Sequence, residues 1–321
     1  MKVVQLDTAG PPGDPACPNQ PAASGWRAIT RVLRSTTNDL VTTFFPSDCR
    51  LCGGPLLALS HVPVCEACAE TLRAHAATDQ ACTRCGELLP YESFRFAASL
   101  GSAECTMCRL APPDFDRAVA FATYDNQVRE TLHLLKFNRM HRLARALLAE
   151  GMATAIARLQ PDAATDIVVI PVPLFASREK ERGFNQARLL AEAALTLLRT
   201  THPDWHLDLR LDLLTRARDT NASFAMDPRT RRKNLAGAFR VPNAEAKSTV
   251  KNREILLIDD ILTTGATARE CARTLKRAGA AKVWVATFAR AQEDQVLLET
   301  GIARWDSPTP RAPNPEARQT F

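Results

Sequence analysis

The sequence predicts an α/β fold built on a parallel sheet, with a small cysteine-rich module in front of it. Residues 166–174 and 255–258 each contain four consecutive aliphatic residues, which is typical of strands buried on both faces of a parallel sheet. Helical patterns follow both segments, at 187–199 and from 266 onward, as expected when parallel strands alternate with crossover helices. Four C-x-x-C pairs between residues 49 and 108 indicate a separate metal-binding module.

The composition is that of a folded protein with room for one large domain and one smaller one. The chain has 321 residues, of which 45% are hydrophobic, and a net charge of +6, so polyanionic partners are allowed but not required. No segment approaches the ~20 apolar residues of a membrane span. The first residues, M-K-V-V-Q-L-D, lack the apolar core of a signal peptide. We therefore expect a cytoplasmic protein.

Both ends of the chain are predicted to lie outside the folded domains. Residues 1–25 contain five prolines, and four more occur between residues 308 and 315, so the tails at 1–25 and 291–321 are expected to be disordered. Residues 26–45 carry apolar side chains at helical spacing beside several arginines, which predicts an amphipathic helix. This helix could lie on a membrane surface or dock on the module that follows, and docking is the favoured interpretation.

Eight cysteines form four knuckles of the C-x-x-C type. Each knuckle directs two thiolates to one point, and two knuckles complete a tetrahedral Cys₄ zinc site. We predict two structural Zn²⁺ ions that hold the module folded and take no part in chemistry. Sequential pairing of the knuckles is favoured, although a cross-braced arrangement also fits the spacing. The predicted ligands are Cys49, Cys52, Cys65, Cys68, Cys82, Cys85, Cys105 and Cys108.

The segment from residue 255 combines a buried strand, two carboxylates and a helix start. Asp259 and Asp260 follow the aliphatic run directly, and the turn Thr263-Thr264-Gly265-Ala266-Thr267 comes next. A Thr- and Gly-rich turn at a helix start offers N–H groups and hydroxyls to a phosphate, whereas paired carboxylates suit hydroxyl groups or Mg²⁺. The combination predicts a ribose 5-phosphate site. A buried strand with a capped helix would not need paired acids, and a receiver-type acidic cluster would have no phosphate cradle.

The helix that starts at this turn is predicted to end at Gly279, with one apolar and one charged face. The residues expected on the apolar face are Ala268, Cys271, Leu275 and Ala278, and those expected outside it are Arg269, Glu270, Arg273 and Lys276.

Three groups of basic residues are candidates for ligand binding. Lys136, in the sequence L-K-F, is either a ligand-binding cation or part of a solvated face. Arg178 and Arg182 follow the strand at 166–174, where open α/β sheets bind ligands, so they either reach a pyrophosphate or are exposed charges at a helix start. Residues 216–240 carry seven basic and two acidic side chains. We predict a mobile cationic loop there, which is a lid over a phosphorylated substrate, a nucleic-acid surface or a plain solvated surface.

The order of these motifs resembles the ComF family, which are competence-associated phosphoribosyltransferase-like proteins with an N-terminal double zinc ribbon. Residues 255–267 are similar to the phosphoribosyl-pyrophosphate (PRPP) motif of type I phosphoribosyltransferases: four aliphatic residues, an acidic pair, two further residues and T-T-G-x-T. R-x-x-x-R-G-F-N-Q at 178–186 is the most family-specific part, and R-x-x-N with G-A-F lies at 231–239. The resemblance covers roughly residues 44–290.

The resemblance implies a type I phosphoribosyltransferase-like parallel sheet that binds Mg·PRPP or a related ribose phosphate. Asp259 and Asp260 would hold the ribose hydroxyls, and residues 263–267 would cradle the 5-phosphate. The remaining implied site residues are the pyrophosphate-side candidates Lys136, Arg178 and Arg182 and the flexible-loop candidates Arg218, Arg231 and Asn234. The flexible loop departs from the family, because T-x-x-Q is replaced by T-N-A-S at 220–223. A catalytic role of the loop therefore does not follow from the resemblance.

Two functions are compatible with the resemblance. The chain is either a phosphoribosyltransferase that uses Mg·PRPP and an acceptor the sequence does not identify, or a non-catalytic nucleotide-sensing or single-stranded-DNA-binding adaptor of the DNA uptake machinery. The association with natural competence makes single-stranded DNA and a competence helicase the expected macromolecular partners. Between the two tails and after the helix at 26–45, the predicted domains are a double zinc ribbon at 46–111 and a phosphoribosyltransferase-like domain at 112–290.

Overall fold

The structure is a computed structural model that describes residues 48–56, 62–74, 80–137, 141–220 and 228–292. The predicted tail at 1–25 and the predicted helix at 26–45 lie outside these residues, as does the C-terminal tail from residue 293 onward.

The described residues form a five-stranded parallel sheet and a small antiparallel ribbon. The strands are β1 (Arg117–Thr123), β2 (Asp166–Pro171), β3 (His206–Leu209), β4 (Thr215–Arg216), β5 (Phe239–Arg240), β6 (Glu254–Leu262) and β7 (Lys282–Arg290). The parallel sheet has the order β3-β2-β6-β7-β1, and β4 pairs with β5 to form the ribbon. The predicted α/β fold is confirmed.

Helices connect the strands and also belong to the cysteine-rich modules. Within the described residues they are α1 (Glu66–Ala74), α2 (Tyr91–Ser99), α3 (Thr106–Leu110), α4 (Asn126–Phe137), α5 (His141–Leu143), α6 (Ala149–Ala157), α7 (Ala176–Arg182), α8 (Gln186–Thr201), α9 (Pro228–Leu235), α10 (Ala244–Val250) and α11 (Ala266–Arg277). A π-helical turn, Ala144–Leu148, joins α5 to α6.

The sheet is covered on both faces, which explains why its strands are apolar throughout instead of alternating. On one face α6 packs against β1 and β7, and α8 packs against β2 and β6. On the opposite face α11 packs against β6 and β7, and α10 adds to the same core. The aliphatic run Ile255–Ile258 in β6 is completely buried, and burial of each such side chain stabilises the fold by about 1.5–3 kcal/mol.

The first Cys₄ module (residues 48–56 and 62–74) lies on the α6 and α8 face. Leu72 of α1 is buried in the core of that face. The Nε2 group of Gln127, in α4, donates a hydrogen bond to the backbone oxygen of Cys68 at 3.1 Å. The module is therefore anchored to the helices that follow β1.

The second Cys₄ module (residues 80–111) lies on the opposite face, beside α11. Three of its cysteines, Cys82, Cys85 and Cys108, are buried in the core of that face. The backbone N–H of Ala118 in β1 donates to the backbone oxygen of Arg84 at 2.8 Å. The two modules therefore hold the edge strand β1 between them, one from each face of the sheet.

Two sequence-based expectations about the elements are corrected. The predicted strand at 255–258 is longer, because β6 stays paired with β7 as far as Leu262 opposite Arg290. The acidic pair therefore lies within the strand and not after it. The segment at 216–240 is not a single loop: it contains β4, α9 and β5, while residues 221–227 lie outside the described part.

The predicted faces of α11 are confirmed except for one residue. Ala268, Cys271, Leu275 and Ala278 are buried as expected, but Glu270 is also buried, with 6% of its surface exposed. The reason is hydrogen bonding: its carboxylate accepts from the backbone N–H of Gly237 at 2.7 Å and from Arg273 at 3.1 Å.

Within the ranges that the structure describes, no helix combines the length and apolar character that crossing a membrane requires.

The tight turn after each first knuckle requires glycine, and this can be tested with a matched pair of variants. Gly53 and Gly86 both have a positive φ, near +70°. A methyl group at Gly86 would lie 3.3 Å from the backbone oxygen of Ala118, whereas one at Gly53 meets nothing within 4 Å. Gly53→Ala should lower the free energy of unfolding by the strain of left-handed backbone alone, about 1–2 kcal/mol. Gly86→Ala should lower the free energy of unfolding, measured by chemical denaturation, by more than Gly53→Ala does. An equal or smaller loss would contradict the docking of this turn on β1.

Candidate functional site

A crevice at the carboxyl edge of the sheet is expected between β2 and β6. These strands are neighbours, but the helix after β2, α8, covers one face and the helix after β6, α11, covers the other. Open α/β sheets bind ligands at such a switch point. The acidic pair, the Thr- and Gly-rich turn and α7 all lie at strand ends on this edge.

The two adjacent carboxylates point to opposite faces of the sheet, because consecutive strand residues alternate. Asp260 faces the side of α4, where its Oδ2 lies 2.7 Å from Nζ of Lys136. Only 13% of the Asp260 side chain and 18% of the Lys136 side chain are exposed. The pair is therefore largely withdrawn from water, and the loss of either partner would leave an uncompensated charge.

Asp259 faces the side of α11, near Cys271. Burial, with a further contribution from the charge of Asp260, raises the pKa of Asp259 to about 8. Its Oδ1 accepts a hydrogen bond from the backbone N–H of Asp260 at 2.9 Å. Asp259 is thus largely protonated at neutral pH, and a cation beside it would favour its ionised form.

The predicted phosphate cradle connects β6 to α11. Gly265 has φ +71° and caps α11, a conformation that favours glycine. The Oγ1 of Thr264 accepts from the backbone N–H of Ala266 at 3.4 Å, which holds the turn closed. The amino end of the 12-residue helix α11 contributes a positive dipole end and backbone N–H groups that have no acceptor within the helix. Residues 263–267 therefore have the local geometry of an anion site.

Two arginines lie near the acidic pair on the side of the ribbon. Arg178, in α7, donates to the backbone oxygen of Thr220 at 3.0 Å, and its Nε lies 3.6 Å from Asp219. Arg216, in β4, stacks on Phe239 at 5.5 Å and donates to the hydroxyl of Thr220.

The positive charge of Arg216 lies in an unfavourable environment. Burial and the positive charge of Arg178 lower the pKa of its guanidinium, while Asp259 acts in the opposite direction. Its buried Nε has no hydrogen-bond partner among the described residues. Arg178 and Arg216 therefore place two positive charges next to each other, an arrangement that would suit a polyanion. The sequence indicates Arg216 only as one of the basic residues of the segment at 216–240.

The motif R-G-F-N-Q has a structural explanation. Gly183 ends α7 in the left-handed region, at φ +78°, and Phe184 is buried in the core of the α8 face. Asn185 caps α8 by accepting from the backbone N–H of Arg188, and its Nδ2 donates to the backbone oxygen of Val172 at 3.0 Å. The motif therefore fixes α7 and its arginines against the end of β2.

The remaining candidates belong to the end of α7 and to the segment between β4 and β5. Arg182 is half-buried at the end of α7. Arg218 donates to the backbone oxygens of Asn234 and Ala236 and so closes the base of the segment between β4 and β5. The side chain of Arg231, in α9, lies outside the described part.

The eight predicted cysteine ligands form two clusters in sequential pairing. Cys49, Cys52, Cys65 and Cys68 form the first cluster, and Cys82, Cys85, Cys105 and Cys108 form the second. The Sγ atoms of Cys52 and Cys65, and those of Cys85 and Cys105, are 3.7 Å apart. A tetrahedral site with Zn–S bonds of about 2.3 Å has sulfur–sulfur distances of about 3.8 Å, so both clusters fit this ion.

Burial and hydrogen bonds within the clusters lower the pKa of some cysteines, such as Cys49 and Cys105, and raise the pKa of others, such as Cys68 and Cys108. Burial raises the pKa of Cys49, but bonds from backbone N–H groups, the largest from Cys65, outweigh burial and lower it to about 6. In the second cluster the bond with Cys108 is the main cause that lowers the pKa of Cys105 to about 7. Thiolates are the form that binds metal.

A cavity of 630 Å³ separates the second Cys₄ module from the phosphate cradle. Leu88, Leu89 and Met107 contribute apolar walls, and Thr264 and Gly265 contribute the opposite wall. The cradle is therefore accessible from the side of the second module.

Comparison with known proteins gives consistent results. The phosphoribosyl transferase domain family matches residues 190–319. The DNA utilization protein YhgH of Escherichia coli O157:H7 is 36% identical over 247 residues, which cover 75% of this chain and 95% of that protein. Competence protein F of Haemophilus influenzae is 28% identical over 68% of this chain and 93% of its own length. Competence protein ComFC of Bacillus subtilis is 33% identical over 50% of this chain and 58% of its own length.

The raised pKa of Asp259 predicts a pH-dependent effect of removing its charge. The carboxyl ionises near pH 3.8 when unfolded but near pH 8 when folded, so the folded state keeps a proton that the unfolded state has lost. Stability therefore falls as pH rises through this window. Asp259→Asn should raise the Tm at pH 8, by about 2–4 °C for each kcal/mol that the variant adds to the free energy of unfolding. At pH 4 it should have no such effect.

Asp208→Asn, on the exposed side of β3, is the control for loss of a carboxylate. A gain in Tm that is equal at the two pH values would contradict a protonated Asp259.

Proposed function

Because the chain belongs to the ComF family of phosphoribosyltransferase-like proteins, we propose that it binds Mg·PRPP or a related ribose phosphate at the carboxyl edge of its sheet. The observation that carries this proposal is the placement of the acidic pair of β6 directly before the phosphate cradle, at the switch point between β2 and β6. The phosphoribosyl transferase domain match includes this segment.

The proposed binding mode uses three groups of residues. Asp259 and Asp260 hold the ribose hydroxyls, and the N–H groups and hydroxyls of residues 263–267 hold the 5-phosphate. Arg178 and Arg216 neutralise the pyrophosphate, and Lys136 compensates the charge of Asp260 through their ion pair. Carboxylate and phosphate oxygens are the ligands that Mg²⁺ prefers. Asp259 fits Mg²⁺ better than Asp260 does, because Asp260 is already paired with Lys136 at 2.7 Å.

In a transfer reaction the bond between C1 and the pyrophosphate breaks, positive charge builds on the ribose, and an acceptor nitrogen forms the new bond. Arg178 and Arg216 would stabilise the charge that accumulates on the leaving pyrophosphate. Bound Mg²⁺ would supply further charge stabilisation at the phosphate oxygens. The carboxylates of the acidic pair would hold the ribose hydroxyls so that C1 stays exposed to the acceptor. The segment between β4 and β5 would exclude water from this step.

A second candidate function is a non-catalytic adaptor that binds nucleotides or single-stranded DNA. It is favoured by the names of the relatives, which refer to DNA utilization and competence, and by the basic residues between 216 and 240. Its partners would be single-stranded DNA and a competence helicase, met in the cytoplasm, where cysteines stay reduced. The absence of the family's glutamine from residues 220–223 also fits a protein without turnover.

We further propose that each Cys₄ cluster holds one structural Zn²⁺. Both clusters offer four sulfurs at tetrahedral spacing, which leaves no open position for chemistry. Apparent zinc binding contributes about 10–16 kcal/mol in small modules of this kind, which is more than two short helices and a few buried side chains can supply.

Elemental analysis should find two zinc ions per freshly purified chain. Cys85→Ser should bind one, because a cluster with three thiolates loses most of its affinity. Cys271→Ser is the matched control, since Cys271 is a buried cysteine of α11 outside both clusters, and it should retain two. One zinc or none in the wild-type protein would overturn the proposal.

The two ends of the proposed ligand can be separated by variants. Asp259→Asn combined with Asp260→Asn should abolish binding of ribose 5-phosphate and of Mg·PRPP but keep binding of pyrophosphate. Arg216→Gln should weaken the binding of pyrophosphate and of Mg·PRPP by about 10–100-fold, which is the effect of losing one charged hydrogen bond. The binding of ribose 5-phosphate should not change. Calorimetric titration of each variant with the three ligands measures both effects.

Arg240→Gln is the control for Arg216→Gln, because Arg240 lies on the paired strand β5 but is exposed. Loss of all three ligands in Arg216→Gln would indicate general disruption of the site. Unchanged titrations of the double aspartate variant would show that the ribose is held elsewhere.

A further inference from the structure

One guanidinium connects the second Cys₄ module to the phosphate cradle. Arg290, the last residue of β7, has only 12% of its side chain exposed. Its Nη1 donates to the backbone oxygen of Leu262 at 3.0 Å and to that of Thr263. Its Nε donates to the backbone oxygen of Cys85 at 3.3 Å, and its Nη2 pairs with the carboxylate of Glu87. A single side chain thus holds both structures.

On the cradle side, these bonds determine where the N–H groups point. A trans peptide unit is planar, and its C=O and N–H groups point in opposite directions. Because the carbonyl oxygens of Leu262 and Thr263 are turned toward Arg290, the N–H groups of Thr263 and Thr264 are turned away from it. These N–H groups belong to the turn proposed to hold the phosphate. Arg290 therefore orients donors without being one of them.

On the module side, Arg290 contacts the turn that carries two cluster ligands. The backbone N–H of Gly86 donates to the oxygen of Cys82 at 2.9 Å, and the N–H of Cys82 donates to the oxygen of Glu87 at 2.7 Å. This turn places the thiols of Cys82 and Cys85 in the second cluster. A metal ion bound to both thiols would fix this turn. The backbone oxygen of Cys85 and the carboxylate of Glu87, which accept from Arg290, would then be fixed as well.

A second connection runs through the first turns of α11. Arg269 donates to the backbone oxygens of Ala111, the last residue of the second module, and of Pro112, at 3.1–3.2 Å. Arg273 pairs with Asp114 at 3.2 Å. The helix whose amino end forms the cradle is therefore anchored to the exit of the second module. The first Cys₄ module packs on the opposite face of the sheet.

We propose that Arg290 is a positioning residue that couples the second Cys₄ cluster to phosphate binding at residues 263–267. This proposal rests on the proposed ribose phosphate site. Coupling between two sites is reciprocal. A metal in the second cluster strengthens phosphate binding, and a phosphate in the cradle retains that metal. The first cluster has no part in this coupling and serves as an internal control in the same chain.

The test measures metal retention at both clusters in the zinc-loaded full chain. Calorimetry first establishes binding of ribose 5-phosphate. The chain is then treated with iodoacetamide and a chelator, with and without saturating ribose 5-phosphate, and alkylation of each cluster is followed by peptide mass spectrometry. Ribose 5-phosphate should slow alkylation of the second cluster at least about fivefold, the lower end of usual coupling between sites. Alkylation of the first cluster should not change.

Arg290→Lys keeps the charge but loses the planar group that reaches several acceptors at once. In this variant ribose 5-phosphate should no longer protect the second cluster from alkylation. The binding of ribose 5-phosphate should be at least about fivefold weaker, because the coupling is reciprocal. Glu87→Gln removes the ion-pair partner without touching the cradle, so it should also reduce the protection if Arg290→Lys fails to fold. Arg158→Lys is the matched control, because Arg158 also donates to a strand oxygen, that of Ala120, and it should behave as wild type.

The outcomes separate the two proposals. If the wild-type chain does not bind ribose 5-phosphate, both the proposed site and the coupling are wrong. If it binds ribose 5-phosphate but both clusters are protected equally, or neither is, the site stands and the coupling through Arg290 is wrong. Full protection in Arg290→Lys and in Glu87→Gln would also overturn it.

Discussion

The pairing of β6 with both of its neighbours is the constraint on which the rest of the structure depends. Because β6 is hydrogen-bonded to β2 and to β7, its side chains must alternate between the two faces as far as Leu262. The consecutive carboxylates of Asp259 and Asp260 are thereby sent to opposite faces. The same pairing places Arg290 beside Leu262, where it can fix the turn that follows. The crevice, the acidic pair and the cradle all depend on this one strand.

The two carboxylates meet different electrostatic environments, and this difference explains how they can lie side by side. Asp260 is compensated by Lys136 at 2.7 Å, whereas burial raises the pKa of Asp259 to about 8. The ligand-free edge therefore carries one ion pair and one protonated acid in place of two repelling anions. On the α11 side, Arg216 and Arg178 repel each other, which an anionic ligand would relieve.

The parallel sheet, the helix α11 and the cysteine clusters could be predicted from the sequence, because each depends on the spacing of residues close together in the chain. The aliphatic run of β6, the glycine at 265 and the four knuckles need no tertiary information. The sequence could not place Lys136 against Asp260, or Arg216 beside Arg178, because these contacts join elements far apart in the chain. Helical spacing places Glu270 on the exposed face, because spacing contains no information about the backbone N–H of Gly237 that needs the Glu270 carboxylate as its acceptor. The role of Arg290 was likewise hidden, because its acceptors are backbone oxygens of three other segments.

The central claim, that residues at the carboxyl edge of β6 hold a ribose phosphate, is tested most directly by hydrogen exchange. Backbone amides of the full chain would be followed by mass spectrometry with and without saturating ribose 5-phosphate. We expect slower exchange in peptides that contain residues 262–268, because these N–H groups would donate to the phosphate. Unchanged exchange there, with protection appearing in another part of the chain, would contradict it.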